Sequence, residues 1–226
     1  MGERDDASQS EQTRIDRARA RMVADQLRRR GIRDERVLGV MAALPREAFV
    51  PGVPAAVAYD DRALPIESGQ TISQPYVVAR MTELLDVEAG DRILEIGTGS
   101  GYQAAVLAKL GARVTSMERW EGLAETAREH LTSLGIEGVE VVVADGSGGD
   151  PAGAPWDGII VTAAGPAIPD ALREQLGVGA RLVIPVGPRH VQDLRVVERR
   201  GPADWREWSD GPVVFVPLVG EDGWSG

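Results

Sequence analysis

Apolar residues fall first into helical spacing and later into short continuous runs. Ile15, Ala18, Met22, Val23 and Leu27 recur every three or four positions among charged neighbours, which predicts an amphipathic helix over 12–30 stopped by Gly31. A second helix is expected from about Asp34, with Val37, Leu38, Met41 and Leu44 turned inward and Pro45 ending it. Residues 45–72 lose this periodicity and gain Pro, Gly and Ala, and long ordered connections of this kind tend to carry function. Helical spacing returns from Gln74 with Val77, Val78, Met81, Leu84 and Leu85.

Beyond Gly90-Asp91 the pattern alternates. Strands are expected at Arg92–Ile96, Arg113–Met117, Val139–Ala144, Trp156–Val161 and Ala180–Pro185, with helices near 101–110, 121–134 and 168–176 between most of them. Short apolar strands separated by amphipathic helices imply a parallel sheet covered on both faces. Residues 191–199 and 211–219 read as two more strands without an intervening helix, an antiparallel edge to that sheet.

Composition narrows the functions available. No cysteine is present among the 226 residues, so disulfides, thiolate nucleophiles and cysteine-bound zinc are excluded; His130 and His190 are too few for most histidine metal centres, and no metal is expected. The formal net charge is −10 and the densest basic cluster is Arg28-Arg29-Arg30, which disfavours nucleic acid as a partner. Residues 1–11 are polar and acidic, without a signal-like apolar run, so disorder there, a cytoplasmic location and no membrane association are expected.

The chemistry concentrates in Ile93-Leu94-Glu95-Ile96-Gly97-Thr98-Gly99-Ser100-Gly101-Tyr102. A buried strand runs into alternate glycines and then a helix, a corner that lets a ligand approach the backbone at a helix N-terminus. A dinucleotide site wants a small residue at position 102, where this chain has Tyr, and Glu95 near the strand end would repel a pyrophosphate. The same acid would attract an ammonium or sulfonium. Glu118, ending the next strand, can accept both hydroxyls of a ribose, and Asp145, after the third, an adenine amino group. Three acids at successive strand ends describe S-adenosylmethionine better than a nicotinamide dinucleotide.

The segments Ala58-Tyr59-Asp60-Asp61 with Leu64-Pro65-Ile66, GQTISQPYVVARMTELL over 69–85, ILEIGTGSGYQAAVLA over 93–108, Val161-Thr162-Ala163-Ala164, IPVG over 184–187 and FVPLV over 215–219 together resemble the protein-L-isoaspartate O-methyltransferase family. The resemblance runs from about residue 14 to 219. It implies a doubly wound, mostly parallel Rossmann-like α/β fold with N-terminal helices, in one methyltransferase domain over 12–226. Within that domain lie a helical part and substrate loop (12–73), a core (74–190) and C-terminal strands (191–226). It also implies a monomer that methylates the free α-carboxylate of isoaspartyl residues in damaged proteins or peptides, after which the ester collapses to a succinimide.

By the same resemblance Ser73 is the active-site residue. Thr71, Ile72, Ser73, Glu95, Gly97, Thr98, Gly99, Gly101, Glu118, Arg119, Asp145 and Gly146 are then assigned to the cofactor, and Ser73, Gln74, Ala163, Ala164, Val186, Val216 and Leu218 to the peptide. Two positions depart from the family pattern, Glu67 and Ala144 standing where Gly is usual, and Glu67 is expected to face solvent.

The residues support this chemistry independently. A carboxylate with an ordinary pKa near ~3.5 is ionised at neutral pH, so the nucleophile needs no general base. Ser73 reads locally as a helix N-cap before Gln74-Pro75, and an N-terminus with unpaired N–H groups suits an anionic carboxylate as well. Tyr76 could line the site, Trp120 could cover an adenine, His130 is expected at the surface, and Trp205 and Trp208 are placed in a polar turn. Two other readings compete: methylation of one aspartate in a dedicated peptide precursor, to which Glu67 is the only pointer, and a non-catalytic cofactor-binding scaffold.

Overall fold

The computed structural model describes residues 2–225. Helix α1 (Gly2–Arg21) passes into a wider π turn at Met22–Leu27 and a tight turn at Arg28–Arg30, and ends at Gly31 with φ +105°. Helical backbone thus begins at Gly2, where disorder was expected over 1–11; no Pro or Gly interrupts the sequence from Glu3 to Arg30. Helix α2 (Glu35–Ala43) is capped by the Asp34 carboxylate, which accepts from the Arg36 N–H. After a short turn at Arg46–Phe49 and α3 (Ala55–Ala58), the ribbon β1 (Leu64–Pro65) and β2 (Thr71–Ile72) pairs antiparallel and leads into α4 (Pro75–Leu85).

The remaining chain builds one sheet from β3 (Arg92–Ile96), β4 (Arg113–Glu118), β5 (Val139–Val143), β6 (Trp156–Val161), β7 (Leu176–Val186), β8 (Gln192–Gly201) and β9 (Asp204–Val213). Helices α5 (Tyr102–Lys109), α6 (Glu121–Ser133) and α7 (Asp170–Glu174) intervene. The order is β5-β4-β3-β6-β7-β8-β9, parallel from β5 through β7 and antiparallel across β8 and β9. The fold is a doubly wound, mostly parallel Rossmann-like sheet with an antiparallel C-terminal edge.

The last strand is displaced from its predicted place. The hairpin turns at Pro202-Ala203, so Trp205 and Trp208 lie within β9, opposite Arg199 and Val196, and not in a turn. The stretch 214–219 is no regular strand; it crosses the carboxyl edge of the sheet through isolated bridges Ala164–Pro217 and Val219–Trp224. Phe215 opens that crossing, its N–H donating to the Gln192 side chain.

Strand alternation divides the core. Leu94 and Ile96 face one layer with Ile159, Val161, Leu182 and Leu172, while Ile93 faces the other with Leu107, Val114, Ile160 and Val183. A third cluster joins Met22, Leu38, Met41, Phe49 and Tyr59 to Tyr102, Val106 and Leu131. It docks the N-terminal helices on α5 and α6, and so sets the β1–β2 ribbon beside the glycine corner.

Candidate active site

Strand order reverses between β3 and β6, and their carboxyl ends frame a crevice of the kind where such sheets bind ligands. The Thr162 N–H donates to the Ile96 carbonyl at 2.9 Å, and its hydroxyl donates to the Ile96 and Gly97 carbonyls. Gly97 holds φ +96°, and a Cβ there would collide with the Thr162 hydroxyl, so only glycine permits this turn. Gly101 starts α5 at φ +87°, close against Ala127. Behind the corner, His130 Nδ1 lies 2.9 Å from the Ser100 carbonyl and must donate to it, with its ring edge-on to Phe49. The surface role expected for His130 is therefore corrected: it holds the glycine loop from below.

The three acids behave differently. Glu118 is 5% exposed and faces the cavity; its two oxygens accept from the Gly99 N–H at 2.9 Å and the Trp120 N–H at 3.0 Å. Each oxygen keeps a further lone pair for a hydroxyl. Glu95 shares the face of Ile93 and lies wholly buried below the corner, outside the cavity lining. The Ser116 hydroxyl donates to its Oε2 at 2.5 Å and stands 2.6 Å from the Thr98 hydroxyl. Burial pushes Glu95 up to about 8 against the pull of Ser116, with Glu118 adding repulsion. It is then mostly neutral at pH 7, and the reading of Glu95 as a direct partner for an ammonium is corrected to support of the loop through Ser116 and Thr98.

Asp145 is also outside the cavity lining, next to Gly146, which belongs to it. Its oxygens accept from the Ser147 and Glu221 amides, each at 2.9 Å, while the Ser147 hydroxyl accepts from the Asp222 amide. Partial desolvation alone would raise its pKa, but these amides hold it below the usual carboxylate range. The expected adenine acceptor is thus an anchor for the C-terminal strap 219–224. Arg119 donates to the Val219 carbonyl, and Trp224 Nε1 to the Ala164 carbonyl, at the two ends of that strap.

On the opposite wall, β2 delivers Thr71, Ile72 and Ser73 to the same cavity. The cap of α4 is Gln74, with Pro75 at its first turn, so Ser73 lies one residue before the cap and does not fill it. The Ser73 hydroxyl makes no hydrogen bond to protein among the described residues, while its carbonyl accepts from Arg46 Nη2 at 2.7 Å. Gln74 turns back to the Asp61 carbonyl, and Tyr76 lies outside the cavity with the Arg30 guanidinium 3.6 Å from its ring centre, which corrects both as lining residues.

Of the residues assigned from sequence, Thr71, Ile72, Ser73, Gly97, Thr98, Gly99, Glu118, Arg119, Gly146, Ala163, Val216 and Leu218 line this one cavity. Glu95, Gly101, Gln74, Asp145, Ala164 and Val186 do not. The Ala164 amide and carbonyl pair with the Val216 carbonyl and the Leu218 amide, and Val186 bridges Gly165, so both frame the rim by backbone pairing. Trp120, 45% exposed, lies at the mouth. No group of three or more candidate metal ligands occurs among the described residues.

The profile of the protein-L-isoaspartate(D-aspartate) O-methyltransferase family matches residues 18–223. The chain belongs to this family. The protein-L-isoaspartate O-methyltransferase of Methanoculleus marisnigri is 56% identical over 211 residues, covering 93% of this chain and 95% of that one. Its counterpart from Methylorubrum populi is 54% identical, covering 90% and 96%. A solved protein-L-isoaspartate O-methyltransferase has a TM-score of 0.80 at 28% identity, covering 90% of this chain and 66% of that one. A Plasmodium falciparum structure in complex with S-adenosyl-L-homocysteine shares the fold, with a TM-score of 0.74 at 24% identity, covering 87% and 96%.

Against the protein-L-isoaspartate O-methyltransferase pattern, Glu67 is exposed on the outer turn of the β1–β2 ribbon and outside the cavity lining. Sequence reasoning missed Arg46, Thr162, Tyr102 and Gln103. Arg46 had a signal, a lone charge pair in Leu44-Pro45-Arg46-Glu47-Ala48-Phe49 with buried residues on both sides. Thr162 had one as well, a hydroxyl immediately after the strand that pairs with β3.

Proposed function

We propose that this protein methylates the free α-carboxylate of L-isoaspartyl residues in damaged proteins and peptides, with S-adenosyl-L-methionine as donor, as the first step of repair through a succinimide. The observation that carries the reading is Ser73, whose hydroxyl has no hydrogen-bond partner among the described residues and which lines the same cavity as Glu118 and the glycine corner. The donor set fits the cofactor. Glu118 offers a carboxylate to two adjacent hydroxyls, Met117 and Trp120 offer apolar and aromatic surface to a base, and a Cβ placed on Gly99 would meet nothing nearer than the Ile66 methyl at 3.6 Å, so the loop is open on that side.

Bound there, S-adenosyl-L-methionine supplies an electrophilic methyl group and leaves as a neutral thioether. The protein's task is to bind and orient. The Ser73 hydroxyl donates to one carboxylate oxygen of the isoaspartyl group and leaves the other free to form the new O–C bond; no proton is transferred, so no base is required. Holding the two reactants in line is worth up to about 7–11 kcal/mol. Residues Val216–Val219 of the crossing segment, together with Ile72, keep water from the reacting centre. Substrate backbone passes along the rim formed by Ala163–Gly165, Val186 and Val216. The protein acts as one domain over 12–226, as a monomer in the cytoplasm. Among the described residues no helix is long and apolar enough to cross a membrane.

The test is methyl transfer from labelled S-adenosyl-L-methionine to a matched peptide pair, one isoaspartyl and one aspartyl. Labelling of the isoaspartyl peptide alone is expected; labelling of neither would refute the reading, and labelling of the aspartyl peptide would redirect it to a dedicated precursor. Ser73→Ala is expected to lower kcat while leaving cofactor affinity within a few-fold, because only a hydroxyl is removed from the wall.

A further inference from the structure

Arg46 is wholly buried in the wall behind Ser73, and among the described residues it forms no ion pair. Its Nε donates to the Ala58 carbonyl and its Nη2 to the Ser73 carbonyl, both at 2.7 Å, and its guanidinium lies 4.8 Å from the Tyr102 ring centre. Nη1 has no hydrogen-bond partner among the described residues. The nearby carboxylates are engaged elsewhere, Glu47 with Arg19 and Tyr59, and Asp61 with Arg30. A buried charge without a counter-ion is costly, and three holding contacts could be made by a neutral group. What the charge adds is a field, directed at two residues, Ser73 and Tyr102, that line the cavity.

We infer that Arg46 is a positioning residue whose buried cation serves as the counter-charge for the isoaspartyl α-carboxylate, acting across the Ser73 backbone that it also holds in place. The inference rests on the proposed methyl transfer. Arg46 does not touch substrate; it gives the wall around Ser73 a positive background from behind, on the side away from Arg119 in the cavity lining. An effective dielectric of about 20 over a separation of about 8 Å makes such a charge worth roughly tenfold or more in affinity for an anion.

The test compares two unreactive ligands in the presence of S-adenosyl-L-homocysteine, the isoaspartyl peptide and its α-carboxamide, by calorimetry or competition. The wild type is expected to prefer the carboxylate, and Arg46→Met to lose about tenfold or more of that preference while S-adenosyl-L-homocysteine affinity stays within a few-fold. A purely structural role would weaken both peptides alike and leave their ratio unchanged, which would overturn the inference. Should Arg46→Met not fold, Arg46→Lys carries the test. A buried lysine titrates where arginine does not, so its carboxylate preference should fall between pH 7 and 10 while that of the wild type stays flat. Of the titratable groups near Arg46, Tyr59 and Tyr102 do not intervene, since burial raises both above the ordinary 10.0, and Asp61 is paired with Arg30. A flat ratio in Arg46→Lys would equally overturn the inference. A wild type that binds neither peptide would instead refute the proposed function.

Discussion

Replacing Glu95 with Gln should change how stability depends on pH more than it changes stability itself. The carboxyl is fully buried, with one donor at 2.5 Å and its other oxygen unpartnered among the described residues. Desolvation is the largest influence on it and the Glu118 charge adds to it, so its affinity for a proton rises from an ordinary 4.5 to about 8. A folded state that holds this proton more tightly than the unfolded chain gains its full stabilisation below pH 4.5 and loses it as pH rises to about 8. At about 1.4 kcal/mol per tenfold in proton affinity, the wild type should lose about 4 kcal/mol from this group between pH 5 and 8.5. Gln mimics the neutral acid and has nothing to ionise. Its unsatisfied amide adds a constant offset of about 1–3 kcal/mol that cancels in the pH trend. Urea unfolding followed by tryptophan fluorescence at pH 5, 7 and 8.5 measures the difference directly. Stability of Glu95→Gln relative to wild type should climb across that range and level off above it. Parallel curves for the two proteins would show that Glu95 is ionised inside the fold, and the argument from burial would fail.

Other substitutions test the remaining walls. Gly97→Ala forces a side chain into φ +96° against the Thr162 hydroxyl, and strain of about 1–3 kcal/mol should open the corner; calorimetry with S-adenosyl-L-methionine should show at least tenfold weaker binding. Glu118→Gln, which trades one acceptor for a donor and removes the charge, should weaken the cofactor about tenfold, and 2′-deoxyribose analogues should lose less on the variant than on the wild type. Asp145→Ala should speed hydrogen exchange at the Glu221 and Asp222 amides and lower Tm by about 2–4 °C, for a loss of about 1 kcal/mol. Weaker cofactor binding with unchanged exchange there would restore Asp145 to the adenine.

What could be read from the sequence was local, and what could not was a matter of which way a side chain faced. The turn at Gly97–Gly101 follows from a strand, alternate glycines and a helix within ten residues, and the parallel strands follow from short apolar runs; neither needs distant partners. Glu95 and Asp145 needed such partners. Strand alternation does place Glu95 on the face of Ile93, under α5, and that parity was available in the sequence, but the chemical appeal of an acid near a strand end outweighed it. Asp145 could not be read at all, since its partners are main-chain amides 76 residues away in the case of Glu221. The β8–β9 hairpin misled for a related reason: Ser209-Asp210-Gly211 has turn composition, yet Arg80 pairs with Asp210 from α4 and Ser209 bonds to Asp193 across the strands, which keeps the segment extended as a sheet edge. Ser73 shows the same limit at the site itself. Its sequence context suits an N-cap, but Arg46 fixes its carbonyl from behind and Gln74 takes the cap position. Its hydroxyl has no hydrogen-bond partner among the described residues and Ser73 lines the cavity, which leaves the serine available for the carboxylate-holding role proposed for it.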